Sequence, residues 1–201
     1  MFISHAYKFI FIKTRKTAGS SIEKFFLDNL NHQDIIFGGM PPEGLPPINC
    51  KQQEHKGWKF IQKRNKKIWD SYYKFTIERN SWDKVVSLYH WQKKTEPQHN
   101  ITDFTTYIKY KKNLYNKKDW LLYTDQNKLK VDFVIRFENL NDDFKYVCSN
   151  LGMPYSDNLK SIQLKSTIRK NKSYRDFYTD ETKDIVSNVY SNEINFFNYI
   201  F

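Results

Sequence analysis

Cysteine is nearly absent from this sequence: two residues, Cys50 and Cys148, in 201. They lie far apart and make neither a metal-binding spacing nor a disulfide framework, which excludes small stapled folds and suits a reducing compartment. Long apolar runs are missing as well. No stretch approaches the ~20 residues of a membrane helix, and the opening MFISHAYK lacks the basic and then apolar segments of a secretory signal. A soluble, cytoplasmic protein is expected, with no membrane partner. Glycine and proline number six each, and GGMPPEGLPP (38–47) takes three of the glycines and four of the prolines. That stretch reads as a long loop with a functional task. No Pro/Gly/Ser-rich linker separates two halves and no repeat is visible, so residues 1–201 are read as one domain, large enough to bury about 70% of its unfolded surface.

Acid is in short supply. Twenty-two Asp and Glu face 33 Lys and Arg, a net charge of +11 that favours an anionic partner. Aromatic residues are plentiful at 17%, high for a soluble protein, so stacking platforms are available.

Along the chain, YKFIFIK (7–13) is short, aromatic and β-branched, the mark of a buried strand. From Ser20 onward Ile22, Phe25, Phe26 and Leu30 fall on one helical face. Residues 58–71 read as a helix whose basic run Lys63-Arg64-Asn65-Lys66-Lys67 forms a solvated face. YYKFTIERN (72–80) reads as a second strand and SWDKVVSLYHWQKK (81–94) as a helix. Ser81 or Asn80 is placed to cap that helix, with Asp83 in the first turn. Further helices are expected over 102–115, over 141–151 with Gly152 as the terminating glycine, and from the cap Thr179 toward the C-terminus; KVDFVIRFENL (130–140) supplies a third strand. Strands alternating with helices predict an α/β fold with a central, mainly parallel sheet flanked by helices in three layers.

The segment KTRKTAGSSIEKFF (13–26) carries the chemistry. A loop that leaves a parallel strand and opens a helix gathers backbone N–H groups at one point, with the helix dipole behind them. Gly19 permits close approach, Ser20 and Ser21 add hydroxyl donors, and Lys16 adds a point charge. This is phosphate-binding physics, yet the lysine stands three residues before Gly19, unlike a Walker A loop, where lysine follows the second glycine. A second element is Arg79 at the end of the second strand, with Ser87 eight residues on; the two are able to converge on one anion at the strand ends, where open α/β sheets bind ligands.

Together these segments resemble the sulfotransferases that use 3′-phosphoadenosine 5′-phosphosulfate (PAPS). Lys16-Thr17-Ala18-Gly19-Ser20-Ser21 is similar to their K-T-A-G-T-S loop, and ERNSWDKVVSLYHW (78–91) to their R-N-P-W-D-R-x-V-S segment. The likeness continues, in matching order, through VDFVIRFENLNDDFKYVCSNLGMP and YRDFYTDETKDIVSNVYSNEINFFNY, both similar to the carbohydrate-type branch. The resemblance implies a P-loop-type fold, and sulfuryl transfer from PAPS to an acceptor hydroxyl, on a carbohydrate, with PAP as product and no metal. It implies that Lys16 meets the 5′-phosphate and bridging oxygen. Lys13, Arg15, Thr17 and the backbone of Ala18, Gly19, Ser20 and Ser21 would grip the phosphosulfate, and Arg79 with Ser87 the 3′-phosphate. It further implies that His55 is the general base, with Glu54 in reserve, and that Arg169 and Lys172 form a basic loop over the nucleotide. Trp58 stands where the family's H-x-x-A element has alanine, and Ser81 where it has proline. Family members of the Golgi carry an anchor, so a bacterial or viral origin is expected here. Two other readings compete: an ATP-dependent P-loop kinase, which the position of the lysine disfavours, and a non-enzymatic basic module for polyanions.

Overall fold

Four consecutive apolar residues, Phe9–Ile12, form a strand whose side chains are all less than 2% exposed. Burial of both alternating sets means that both faces of the strand are covered, as expected of a central strand in an α/β sheet. The computed structural model describes residues 1–28, 35–36, 55–96, 101–110, 114, 118–155 and 173–201. In chain order the strands and α-helices are β1 (Phe2–Ser4), β2 (Phe9–Ile12), α1 (Gly19–Leu27), β3 (Ile35–Ile36), α2 (Trp58–Arg64), α3 (Lys66–Ser71), β4 (Tyr73–Glu78), α4 (Ser81–Thr95), α5 (Phe104–Lys109), α6 (Trp120–Tyr123), β5 (Thr124–Asp125), β6 (Lys128–Leu129), β7 (Phe133–Arg136), α7 (Leu140–Leu151), α8 (Asp180–Val189) and α9 (Ser191–Phe197).

The main sheet has the order β3-β1-β2-β4-β7. β2 pairs in parallel with β4, and β4 with β7; β1 runs antiparallel to both β2 and β3. Four of its five strands therefore point one way, the α/β architecture with a mostly parallel sheet that the alternation of elements predicts. β5 and β6 form a separate hairpin, with Gln126 and Asn127 both at positive φ, the turn geometry that suits a tight two-residue connection.

The chain divides into two compact units. Met1–Glu78 with Leu121–Leu164 holds the sheet. Its core is a phenylalanine cluster: Phe2, Phe9, Phe11 and Phe75 on the sheet meet Phe25 and Phe26 of α1 and Phe144 of α7. The rings pack edge-on or tilted, as between Phe25 and Phe144 at 5.0 Å and Phe9 and Phe26 at 4.8 Å. Cys148 lies in this cluster; burial pushes its thiol up to about 12, which leaves it protonated and unreactive at neutral pH. Cys50 lies outside the described residues. Gly152 ends α7 in the left-handed conformation, φ 63°, as the sequence predicts.

Arg79–Trp120 with Lys165–Phe201 forms the second unit, which is helical. Trp82, Val85, Val86 and Tyr89 of α4 pack with Phe104, Tyr107 and Ile108 of α5 and Val186 and Val189 of α8. Inside it Lys84 and Asp119, both fully buried, pair at 2.9 Å. Thr179 caps α8 in a reciprocal box with Thr182. The predicted long C-terminal helix is two helices, broken at Tyr190, and the predicted helix over 58–71 breaks at Asn65, whose side chain caps α3. Among the described residues no helix is long and apolar enough to cross a membrane.

Candidate functional site

In the sheet unit, the chain leaves β2 at Ile12 and enters α1 at Gly19. The turn between them is held from below by two threonines. Thr14 Oγ1 donates to the carbonyl of Ile77 in β4, and Thr17 Oγ1 lies 2.9 Å from Thr14 Oγ1. Both residues are buried, and their hydroxyls brace the turn from within. Between and after these anchors, Lys16 (φ 61°) and Ala18 (φ 65°) adopt the left-handed conformation. For residues with a Cβ this costs roughly 1–2 kcal/mol each. Such strain survives only where the surroundings over-determine it, and it marks functional turns. Alternation through left-handed residues turns successive N–H groups toward one side, the geometry of an anion nest.

α1 begins without any side-chain cap, because Ala18 at its N-cap has nothing to offer. The first-turn N–H groups of Gly19 and Ser20 are thus of the kind that an anion satisfies. Gly19 is needed for space rather than for φ. A Cβ there would stand 2.8 Å from Lys13 Cγ, so the lysine stem occupies the place of a side chain. Lys13 Nζ donates to Glu23 Oε2 at 2.6 Å beneath the turn, with both side chains at most 10% exposed. Arg15, Lys16, Ala18 and Ser20 are half-buried at the turn, and Ser21 is buried.

His55 comes to this same turn. Its Nδ1 lies 3.0 Å from the carbonyl oxygen of Lys13. A carbonyl only accepts, so Nδ1 carries the proton, and in the neutral ring Nε2 holds the lone pair. The substitution of Trp58 for alanine in the element after His55 has a structural cause. Trp58 is buried, its Nε1 donates to Thr124 O at 2.9 Å, and it anchors the start of α2. Of the other histidines, His5 bonds Tyr72 Oη and His90 packs against Tyr89 and Phe177. Glu54, His32, His99, Arg169, Lys172 and loop 38–54 lie outside the described residues.

In the helical unit, Arg79 directly follows β4. Its Nε and Nη2 reach Asp83 Oδ2 at 2.8 and 2.6 Å. Asp83 and Ser87 are four residues apart on α4, and so on one face of it; both are half-buried. Asp83, placed in the first turn where the helix dipole favours a carboxylate, also orients the guanidinium, a role its position in the sequence does not reveal. Asn80, not Ser81, caps α4, accepting from Trp82 N and Asp83 N at 3.1 and 3.4 Å. Ser81 is fully buried and its hydroxyl has no hydrogen-bond partner among the described residues. As first residue of the helix it needs no N–H bond, and Asn80 at ψ 122° already has the conformation that precedes proline. Ser81→Pro is expected to stabilise the fold by about 0.5–1 kcal/mol. That would raise the thermal midpoint by about 2 °C; a lower midpoint would contradict this account of the cap. Among the described residues no group of three or more His, Cys, Asp or Glu is placed to hold a metal ion.

Comparison with known proteins adds three findings. A family model described as "Sulfotransferase family" matches residues 1–200. An uncharacterized protein of Archaeoglobus fulgidus is 34% identical over 100 residues, which span 48% of this chain and 82% of that protein. Among solved structures, mouse sulfotransferase SULT7A1 complexed with PAP matches at a TM-score of 0.58 and 12% identity, over 96% of this chain and 85% of that one. At that identity the last match speaks to the fold.

Proposed function

The chain belongs to the sulfotransferase family, and from that premise we propose that it moves a sulfuryl group from PAPS to a hydroxyl on a carbohydrate. The observation that carries the site assignment is the strained turn at 13–18, opening an uncapped helix with His55 bonded to its backbone. The chemistry of this donor set fits a phosphosulfate: backbone N–H groups, hydroxyls and one lysine suit oxyanions, and no carboxylate is needed for a metal. The PAP complex of the structural neighbour supports the same donor.

Residue by residue, Lys16, the N–H groups of Ala18, Gly19 and Ser20 and the hydroxyl of Ser21 hold the 5′-phosphosulfate, with Arg15 beside them, while Ser21 N–H closes the first turn onto Ala18 O at 2.9 Å. Arg79, aimed by Asp83, and Ser87 hold the 3′-phosphate, the group that separates PAPS from ATP. Arg169 and Lys172 are proposed at the nucleotide on the sequence resemblance alone. In the transfer, an acceptor oxygen bonds to sulfur as the bond from sulfur to the 5′-phosphate oxygen breaks. The hydroxyl proton passes to His55 Nε2, and Lys16 stabilises charge on the departing oxygen. Lys13 and Thr17 are proposed beside the phosphosulfate on the sequence resemblance alone, with the Lys13–Glu23 pair bracing the turn. The match over residues 1–200 supports reading the whole chain as one sulfotransferase domain.

An acceptor array supplied with labelled PAPS tests the reading, and His55→Gln tests the base. The variant is expected to keep its affinity for PAP while turnover falls by about 10²-fold or more. Absence of transfer by the wild-type protein to any hydroxyl acceptor would overturn the activity. Undiminished turnover in His55→Gln would overturn only the role of the base.

A further inference from the structure

Gly57 opens α2 at φ −89° and ψ 180°, an extended conformation that any residue adopts. A serine or asparagine at this N-cap position would supply the side-chain acceptor that α2 does not have. Space is what selects glycine. A Cβ at residue 57 would stand 2.8 Å from Leu122 Cα and 2.9 Å from its carbonyl oxygen. Both are backbone atoms that cannot rotate away, so the two segments meet main chain to main chain. The next residue adds a second attachment: Trp58 Nε1 donates to Thr124 O at 2.9 Å, and Trp58 is 6% exposed. The segment that receives these contacts is itself fixed. Tyr123 Oη donates to Glu78 Oε2 at 2.7 Å, with both residues fully buried. A buried carboxylate requires such a donor. Glu78 follows Ile77, whose carbonyl accepts from Thr14 of the donor turn. The turn and the 122–124 segment are therefore fastened to consecutive residues at the end of β4.

We propose that Gly57 is a positioning residue for the base. Its close approach to Leu122, secured by the Trp58–Thr124 bond, holds the His55 imidazole on the Lys13 carbonyl, so that Nδ1 keeps the proton and Nε2 presents the lone pair. The effect on rate rests on the sulfotransferase reading; the proposal goes beyond it by giving residues 57, 58 and 122–124 a task performed only through His55. The physical reason is tolerance. An imidazole swings about its side-chain torsions unless the backbone beneath it is fixed, and a misplacement of about 1 Å costs up to about 10²-fold in rate. Only Lys56 separates His55 from the main-chain contact, so the backbone at 55 inherits the position of residue 57. One end of the base is thereby set by the donor turn and the other by the end of the same strand that carries the turn.

Two readouts on the full chain test this: kcat in the acceptor assay, and the nitrogen chemical shifts of the His55 ring, which separate imidazole protonated on Nδ1 from imidazole protonated on Nε2. Gly57→Ala is expected to lower kcat by about 10–100-fold while affinity for PAP stays within about twofold of wild type. The His55 ring should lose its single Nδ1–H form in the same variant. Trp58→Phe keeps an aromatic ring and removes the bond to Thr124. It should act in the same direction by about threefold to tenfold, and it carries the test if Gly57→Ala does not fold. In a His55→Gln background, Gly57→Ala should cost no more than about a further twofold, because the imidazole through which it acts is gone. Equal losses from Gly57→Ala with and without His55 would overturn the proposal, as would an unchanged His55 tautomer in both single variants. Wild-type protein that transfers no sulfate, but whose His55 loses the Nδ1–H form in Gly57→Ala, would uphold the positioning role and overturn the sulfotransferase reading beneath it.

Discussion

Lys16→Ala is expected to lower kcat for sulfuryl transfer by about 10²–10³-fold, the cost of removing one preorganised donor from a developing oxyanion. As the bond to sulfur breaks, negative charge builds on the 5′-phosphate oxygen, and the ammonium of Lys16 is the side-chain cation assigned to it. Affinity for PAP should fall by much less, because the backbone N–H groups of the turn remain. The fold should be unaffected for a specific reason. Lys16 sits at φ 61°, and lysine and alanine both carry a Cβ, so both meet the same left-handed penalty. The anchors of the turn, Thr14 on Ile77 and Thr17 on Thr14, do not involve the lysine side chain. Unchanged thermal unfolding together with a collapsed kcat is thus the signature of a group acting on the reacting atoms. Lys16→Arg should recover only part of the rate, since a broad planar fork does not replace a point charge in a tight turn. A loss below about fivefold in Lys16→Ala would remove the residue from the mechanism.

The turn was legible because its physics is local. An apolar run of strand length, a basic and hydroxyl-rich link, and a helical apolar face follow one another within twenty residues, and neither the order nor the spacing depends on distant chain. The Gly152 terminus and the Thr179 cap were legible for the same reason, and the cap of α4 was narrowed to Ser81 or Asn80. What escaped was decided at long range. β1 is three residues long, too short to show any period, and exists by pairing Phe2 with Phe11. The break at Asn65 did carry a local signal, an N-cap residue between two basic pairs, which the run of charge obscured. Lys13 looked identical to the other cations of its loop; its fate was set by Glu23 in α1, a carboxylate placed beside the apolar residues Ile22, Phe25 and Phe26. A lone acid next to such residues is the clue that a buried cation awaits it. His55 was found through resemblance, but its bond to the backbone of Lys13 spans 42 residues of sequence and no spacing rule predicts it.

Arg79→Ala is expected to erase the preference for PAP over AMP. The two nucleotides differ only in the 3′-phosphate, so calorimetry on the pair isolates the contribution of whatever binds that group. A charge-assisted hydrogen bond from a guanidinium contributes about 1.5–3 kcal/mol, and a preference of about 10–100-fold for PAP in the wild type should shrink to near unity. Affinity for AMP should not move, which separates loss of one contact from damage to the site. The variant should also fold. Arg79 and Asp83 are only 13–14% exposed, so removing one charge strands the other, but Asp83 lies in the first turn of α4, where the helix dipole favours a carboxylate. Asp83→Asn supplies the complementary arm. It leaves the cation and removes what aims it, so the preference for PAP should weaken without vanishing. If the wild-type protein binds PAP no better than AMP, or if Arg79→Ala weakens both nucleotides equally, then the arginine is a structural partner of Asp83 and the 3′-phosphate is recognised elsewhere.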